Sequence, residues 1–362
     1  MKIWRLLILL PLFSATALYA QQKAFDPAEY LDLLRLNFKA MADTTATQSY
    51  SLHKGTYNRL LRSPEVGLYN RVEVFMRNDG VAVVSLRGTI NKPQSWLENF
   101  FAAMVAANGS IKLNDSTTFS YTLSKDPQAY VHIGWLVGLG HLAPYITHEL
   151  DSLLQKGTRN IIVMGHSQGG ALAFLTTSYL YYHYAQQYPD LKLTAYCSAA
   201  PKPGNLYYAY DFDFITRTNG GFRIVNAADW VPETPISIQT IDDFRSPNPL
   251  ADAKTTIKKE SFFVRLALNH VYNKLKGGPE TAMKRYRKYL GDMLYKQVKK
   301  SLPQFEKPSF VYSSNYMTAG VPIILPADSA YHAKFVFNGK DVFVHHSLKS
   351  YEYLVNQYYS IK

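Results

Sequence analysis

Cysteine is almost missing from this chain. Cys197 is the only one in 362 residues, so no internal disulfide can form. It sits in residues 191–198, LKLTAYCS, an apolar strand pattern, and reads as a small buried hydrophobe rather than a thiol nucleophile. Long hydrophobic runs are also missing. No stretch of 18 apolar residues follows the N-terminus, which excludes a transmembrane helix by pattern. Acidic residues are under-represented, 27 Asp and Glu against 39 Lys and Arg, so the chain carries +12. Internal repeats and low-complexity segments are absent, which excludes a solenoid or a linker-dominated chain. What remains has room for one large α/β domain, with or without an insertion.

The first 20 residues are distinct. Lys2 and Arg5 precede an apolar run at residues 6–13, and small residues lead to Ala20. Basic start, short apolar core and small residues predict a secretory signal peptide over residues 1–20, cut after Ala20 or, alternatively, Ala17. The apolar run is too short to span a bilayer well. No cysteine follows it, so no lipoprotein anchor is expected.

The most informative stretch is residues 161–175, IIVMGHSQGGALAFL. Four apolar residues read as a buried strand, Gly165-His166-Ser167-Gln168-Gly169 matches G-x-S-x-G, and the apolar continuation reads as a helix. Strand, sharp turn and helix are the context in which that pattern holds a strained serine with an exposed hydroxyl. Flanking glycines remove the Cβ atoms that would clash in so tight a turn. Ser167 is the candidate nucleophile. The competing reading is a Gly-Ser turn that only lets a helix pack on a strand.

Elsewhere the pattern alternates strands and helices. Asp26-Pro27 starts a helix. Residues 71–75 and 81–86 form strands around the hairpin signal Asn78-Asp79-Gly80. Residues 142–154 read as an amphipathic helix closed by Gly157. Residues 222–226 form a strand, followed by Asp229. The alternation predicts a mostly parallel sheet with helices on both faces. Chemistry collects at the C-terminal ends of such strands. Ser167 and Asp229 both stand there. Asp229 is thus either the carboxylate that orients a histidine or a plain turn residue.

From about residue 240 to 312 the composition changes. Residues 254–301 hold thirteen Lys or Arg against three acids, which is the whole positive excess of the mature chain. This is read as a helical insertion, split in two at Gly277-Gly278-Pro279. Val321 to Leu325 returns to a strand, with Pro322 marking an edge. Residues 333–337 and 341–344 read as a hairpin around Asn338-Gly339, and a helix closes the chain. Histidines after Asp229 are His270, in the basic segment; His332, near an expected strand start; and the adjacent His345 and His346, of which at most one can act.

Several motifs, taken together, resemble the class 3 lipases, the α/β-hydrolases that include fungal triacylglycerol lipases. They are Arg87-Gly88-Thr89 with Trp96 and Asn99, His132-x-Gly134, Gly165 to Gly170, Pro201 to Asn205, Arg223 to Pro232, and His346-x-Leu348-x-x-Tyr351. The resemblance implies an α/β-hydrolase fold over residues 21–362 and a Ser167–Asp229–His346 triad. It implies an oxyanion hole from Thr89 and the backbone N–H of Gln168. It also raises a lid after the corresponding strand, here residues 97–108, for which a plain buried helix is the other reading. The departures are Gln168, where Leu is usual, and the stretched Asp229-to-His346 separation.

The expected activity is that of a secreted serine esterase or lipase acting on acylglycerol or phospholipid esters. No metal or organic cofactor is needed, and His132 reads as structural. A serine amidase or peptidase could use the same triad, and a silent surface-binding module is the non-enzyme alternative. The basic faces either keep the protein soluble or hold it at an anionic membrane or envelope surface; no nucleic-acid motif accompanies them.

Overall fold

The computed structural model describes residues 23–41, 48–250 and 253–361; the expected leader, residues 1–20, lies outside them. Asp26 Oδ1 accepts the Glu29 N–H at 2.9 Å and opens helix α1 (Pro27–Met41). Strands β1 (Ser49–Leu52), β2 (Gly55–Arg62), β3 (Val72–Arg77) and β4 (Ala82–Leu86) follow and pair antiparallel in succession. Gly80, at φ +86°, makes the turn between the last two. Next come α2 (Pro93–Phe100), β5 (Met104–Ala106), β6 (Asn108–Asn114), β7 (Thr117–Thr122), β8 (Tyr130–His132) and the long α3 (Ile133–Gln155). Then the chain alternates: β9 (Asn160–His166), α4 (Gln168–Tyr184), β10 (Lys192–Ser198), the short β11 (Gly204–Asn205), α5 (Leu206–Thr216) and β12 (Gly221–Asn226). The basic segment supplies α6 (Ala253–Ile257), α7 (Phe262–Arg287), a π-helical turn (Lys288–Met293) and α8 (Leu294–Ser301). Finally come β13 (Tyr316–Met317), β14 (Val321–Leu325), α9 (Ser329–Lys334) and α10 (Leu348–Tyr359).

Eight strands form the main sheet in the order β1-β2-β3-β4-β9-β10-β12-β14. From β4 to β14 every neighbouring pair is parallel. β14, with Pro322, is an edge, where a missing N–H costs no ladder bond. Side chains alternate between two cores, as the period of a strand requires. Val84, Val163, Ala195 and Cys197 face one core with α3, α4 and α5; Val83, Ile162, Met164 and Tyr196 face the other with α1 and α10. Helices therefore cover both faces. A four-stranded sheet, β13-β11-β8-β5, and the β6-β7 hairpin stand beside this sandwich.

Four sequence expectations are corrected. Residues 97–108 do not form one helix. α2 stops at Phe100, Phe101 to Val105 are buried, and β5 pairs with β8. The Ile133 N–H donates to the Ala103 carbonyl and the Gly134 N–H to that of Phe101, both at 3.0 Å, and pin this backbone. An apolar run buried all round carries no periodicity, so pairing decides its form. Residues 333–344 form no hairpin. Asp328 caps α9 through the Tyr331 N–H at 2.8 Å, and Tyr331 is buried. Gly339 does turn, at φ +79°, but no strand lies on either side of it. His332 accordingly lies on α9, exposed. The helix read at residues 142–154 begins earlier, at Ile133, where the His132 side chain caps it by accepting the Trp135 N–H. Last, α7 runs unbroken through Gly277-Gly278-Pro279. Lys276 and Glu280 bridge that stretch at 3.3 Å, one turn apart.

The continuity of α7 generates a prediction. A Cβ built on Gly277 or Gly278 meets nothing within 4 Å. Alanine at a helix-interior glycine contributes up to about 1 kcal/mol. Gly277→Ala and Gly278→Ala should therefore each raise the apparent midpoint of thermal unfolding. A helix broken at this point would give no gain in the same melting experiment.

Candidate active site

The turn between β9 and α4 is strained. Ser167 has φ 62° and ψ −130°, a region that side chains rarely adopt. Close packing holds it there. A Cβ on Gly165 would lie 1.9 Å from the Gly169 carbonyl oxygen, and one on Gly169 would lie 2.2 Å from that of Leu86. No side chain fits at either position. The Ser167 N–H donates to the Ser198 carbonyl at 2.9 Å, tying the turn to the end of the neighbouring strand.

Asp229 stands just beyond β12 and is buried. Its Oδ1 accepts the Val231 N–H at 3.0 Å. Its Oδ2 accepts the Tyr351 hydroxyl at 2.8 Å and His346 Nδ1–H at 2.6 Å. With Nδ1 engaged as donor, Nε2 carries the free lone pair of His346. That nitrogen is buried and has no hydrogen-bond partner. A cavity of about 170 Å³ is lined by Ser167, His346, His166, Thr89 and Phe343. The structure thus brings Ser167, Asp229 and His346 to one place. His345 points elsewhere: its Nδ1 accepts from the Tyr331 hydroxyl at 2.8 Å. His270 is exposed on α7.

A second cavity, of about 260 Å³, is also lined by Ser167. Trp96, Phe100, Trp135, Trp230, Ile236, Tyr286, Leu290 and Phe343 give it an apolar lining, together with Thr89 and Gln168. Phe343 contacts both Trp96 and Trp230 with ring centroids 5.8 and 5.5 Å apart, and it lines both cavities. Tyr286 and Leu290 come from α7 and the π-helical turn, so the basic segment builds one wall.

Thr89 is fixed by its own set of contacts. Its Oγ1 accepts from Asn99 Nδ2 at 2.9 Å, and Asn99 Oδ1 accepts from Trp135 Nε1 at 3.2 Å. His132 Nε2–H donates to the Asn99 carbonyl at 3.1 Å, leaving Nδ1 to accept the Trp135 N–H at 3.3 Å. Its ring stacks on Trp135 at 3.6 Å. Burial pushes the His132 imidazole down to about 3, opposed by the bond to Asn99, so it is neutral and structural. Gln168, the first residue of α4, donates its side-chain N–H to the Ser95 carbonyl at 3.1 Å.

Sequence reasoning missed the network behind His346. Tyr30 on α1 donates to Ser198 Oγ at 2.7 Å, and Ser198 Oγ–H donates to His166 Nδ1 at 2.9 Å. His166 Nε2–H then donates to the His346 carbonyl at 3.0 Å. Burial, helped by the nearby His346, pushes His166 well below the usual imidazole range, which keeps it a neutral relay of hydrogen bonds. Asn226 donates to the His345 carbonyl at 2.7 Å from the opposite side. Tyr351 was visible in the sequence as a motif position, but its bond to Asp229 was not. Tyr30 and Ser198 carried no local signal.

The fold is that of an α/β-hydrolase: a strained serine turn between a strand and a helix of a largely parallel sheet, with Asp229 and His346 on later loops. Residues 83–238 match the family Lipase (class 3). That segment is under half of the chain, and over it the chain is similar to the class 3 lipases. It is 27% identical over 167 residues to phospholipase A1-II 4 of Oryza sativa subsp. japonica, spanning 42% of this chain and 39% of the rice protein's length. Among solved structures it is similar to a triacylglycerol lipase from Penicillium expansum. That match has 21% identity and a TM-score of 0.43, and covers 59% of this chain and 75% of that one. Rhizomucor miehei triacylglyceride lipase is similar at 18% identity and a TM-score of 0.41, covering 59% and 77%. No helix of the described residues is long and apolar enough to cross a membrane.

Glu98 on α2, next to Asn99, gives this site a pH dependence. It is fully buried, and burial pushes its carboxyl up to about 8, against the bond it receives from Asn70 Nδ2 at 2.7 Å. Glu98 Oε1 and Asn70 Oδ1 are both buried without partners. A proton on the carboxyl removes the charge that burial penalises. The sign follows from linkage. The folded value lies above the unfolded one, so Glu98 stabilises fully below about 4.5, and that contribution fades as pH rises through about 8. Glu98→Gln keeps an acceptor for Asn70 Nδ2 and cannot ionise. Its melting temperature should exceed that of the wild type by a margin that widens from pH 5 to pH 9. Parallel melting curves across that range would show Glu98 is not held neutral.

Proposed function

We propose that the protein is an exported serine esterase that hydrolyses carboxylic ester bonds of lipids, acylglycerols or phospholipids, through Ser167, His346 and Asp229. The observation that carries this reading is the strained Ser167 turn. It lines an apolar cavity and shares a second one with His346, whose Nε2 is unpaired and whose other nitrogen is held by Asp229.

Ser167 Oγ attacks the ester carbonyl carbon while His346 Nε2 takes its proton. Asp229 holds the imidazole in the required tautomer and stabilises its cation. The carbonyl oxygen becomes an oxyanion facing the backbone N–H groups of Gln168 and Thr89. Losing one such donor typically costs about 3–4 kcal/mol. As the tetrahedral intermediate collapses, the C–O bond to the alcohol breaks and His346 Nε2–H protonates the leaving oxygen. Water then attacks the acyl-enzyme carbonyl, His346 again removes the proton, and the free acid leaves Ser167 regenerated. Side chains and water complete every step, so the chemistry calls for no cofactor.

The larger, apolar cavity suits the acyl chain. The smaller one, on the His346 side, suits the leaving alcohol, because the proton is delivered there. Lipid esters are presented at surfaces, and the basic segment supplies attachment to an anionic one. The leader at residues 1–20 directs this chemistry outside the cytoplasm.

Hydrolysis of acyl esters of two to eighteen carbons, beside a phospholipid and a peptide ester, tests the reading directly. Lipid esters should turn over faster than the peptide substrate. Ser167→Ala should lower the rate by a factor on the order of 10⁴ to 10⁶ without loss of fold, and should abolish labelling by a fluorophosphonate probe. His346→Ala should be equally damaging, while His345→Ala retains much activity. The reverse order of the two histidine variants in a steady-state assay would sink the assignment of the base.

A further inference from the structure

We propose that the N-terminal half of α7 is an interfacial anchor that seats the protein on an anionic phospholipid surface, positioning the apolar cavity beside Ser167 for substrate held in that surface. This rests on the reading of the chain as a lipid esterase and adds to it the element that finds the lipid. α7 lies outside the segment that matches the class 3 lipases.

The first half of α7 presents an apolar stripe to solvent. Val264, Leu268, Val271 and Leu275 recur at i, i+4, i+7 and i+11, which places them on one stripe of the helix. All four are exposed, Leu275 to 65%. Phe262 and Phe263 extend the apolar surface at the N-terminal end, and Phe263 is 81% exposed. The helix is held to the body from other positions: Tyr272, Met283 and Tyr286 are buried. A stripe of this length, left in water, is the mark of a docking surface rather than of scattered exposed residues.

Charge selects the partner. Exposed Lys274, Lys284, Arg285 and Lys288 lie on α7 and the turn after it, and Lys254, Lys258 and Lys259 precede it. Apolar stripe plus lysine-rich flanks is the composition that lies in the headgroup region of an anionic bilayer. A second copy of this chain would bring the same positive charge against itself, which disfavours self-association through this face.

Position couples the anchor to the site. Tyr286 closes the C-terminal end of α7, Leu290 follows in the π-helical turn, and both line the cavity that contains Ser167. Eleven to twenty-two residues separate the apolar stripe from Tyr286, about 17–33 Å along a continuous helix. The rim of the cavity is itself apolar and exposed at Phe100, Trp230 and Ile236, the last to 73%. An apolar stripe and an apolar rim thus belong to one rigid connection.

Vesicle co-sedimentation tests the proposal, using the mature protein carrying Ser167→Ala so that no lipid is consumed. The protein should bind phosphatidylcholine–phosphatidylglycerol vesicles at low salt, and phosphatidylcholine vesicles much less. Leu268→Ser, Val271→Ser and Leu275→Ser combined should weaken binding by at least about tenfold. Lys274→Glu, Lys284→Glu, Arg285→Glu and Lys288→Glu combined should weaken it and remove most of its salt dependence. In the background with Ser167 intact, both sets should leave hydrolysis of a soluble short-chain ester unchanged, because none of these residues lines the cavity. Absence of binding to the anionic vesicles, or equal binding by the serine triple variant, overturns the anchor. A concentration-dependent dimer in sedimentation that the triple variant loses assigns the face to a second copy instead and also overturns it. Binding is read without turnover, so failure of the anchor and failure of the esterase reading are separate results.

Discussion

Everything in the candidate site depends on how closely backbone can approach backbone at the end of β9. Ser167 keeps φ 62° because Gly165 and Gly169, two residues before and after it, have no Cβ atoms to push the backbone apart. Gly169 touches the end of β4, Gly170 touches the Ser198 carbonyl, and Gly88 touches the His166 carbonyl. These contacts join β4, β9 and β10 at one edge. The same approach sets Thr89, immediately after Gly88, against the Ser167 turn. The strained serine and the Thr89 loop are therefore one packing problem with one solution. The strain is a cost that the surrounding sheet supports.

The histidine is positioned by a different principle. It sits on a short turn near the C-terminus, with no strand to hold it, and is fixed by hydrogen bonds to its backbone and ring. His166 binds the carbonyl of His346, Asn226 binds that of His345, and Asp229 takes the ring nitrogen. The groups that do this are buried, so an unmade bond would leave a desolvated polar atom. Satisfying them forces α1, β10 and α10 into register around the turn. Burial keeps His166 and His132 uncharged, so these two histidines add no positive charge near the His346 ring.

Legibility in the sequence followed the range of the interaction. The β9–turn–α4 unit was readable because strand, glycines and helix are contiguous and each obeys a local rule. Asp229 was readable because strand ends collect chemistry in such sheets. His346, by contrast, was separated from His345 only through the spacing to Leu348 and Tyr351. The network through Tyr30, Ser198 and His166 was invisible, because its members are far apart in the chain and each has an ordinary local role. The errors came from short apolar stretches. Residues 333–344 alternate like a hairpin, yet Asp328 starts a helix and Tyr331 anchors it in the core. Residues 97–108 are apolar throughout and gave no period to read. In α7, Gly-Gly-Pro has the composition of a break, but the Lys276–Glu280 pair and helical neighbours carry the helix across it.

The basic segment is better described as part of the catalytic domain's wall than as an addition to it. Gly291, in the π-helical turn, comes so near that a Cβ there would lie 2.9 Å from that of Ala103. The Ala103 N–H donates to the Leu290 carbonyl at 3.2 Å, and Val298, Phe305 and Phe310 enter the main core. The π-helical turn brings Gly291 and Leu290 to Ala103, while the flanking α7 and α8 continue on either side. One end of α7 is thereby fixed to the pocket while the other projects apolar side chains into solvent. The long separation between Asp229 and His346, which departs from the pattern of the family, thus contains the residues that shape the cavity beside Ser167. A change in how α7 is seated would be transmitted to Tyr286 and Leu290 without passing through Ser167, Asp229 or His346, which ties the cavity beside Ser167 to an element that carries an exposed apolar stripe.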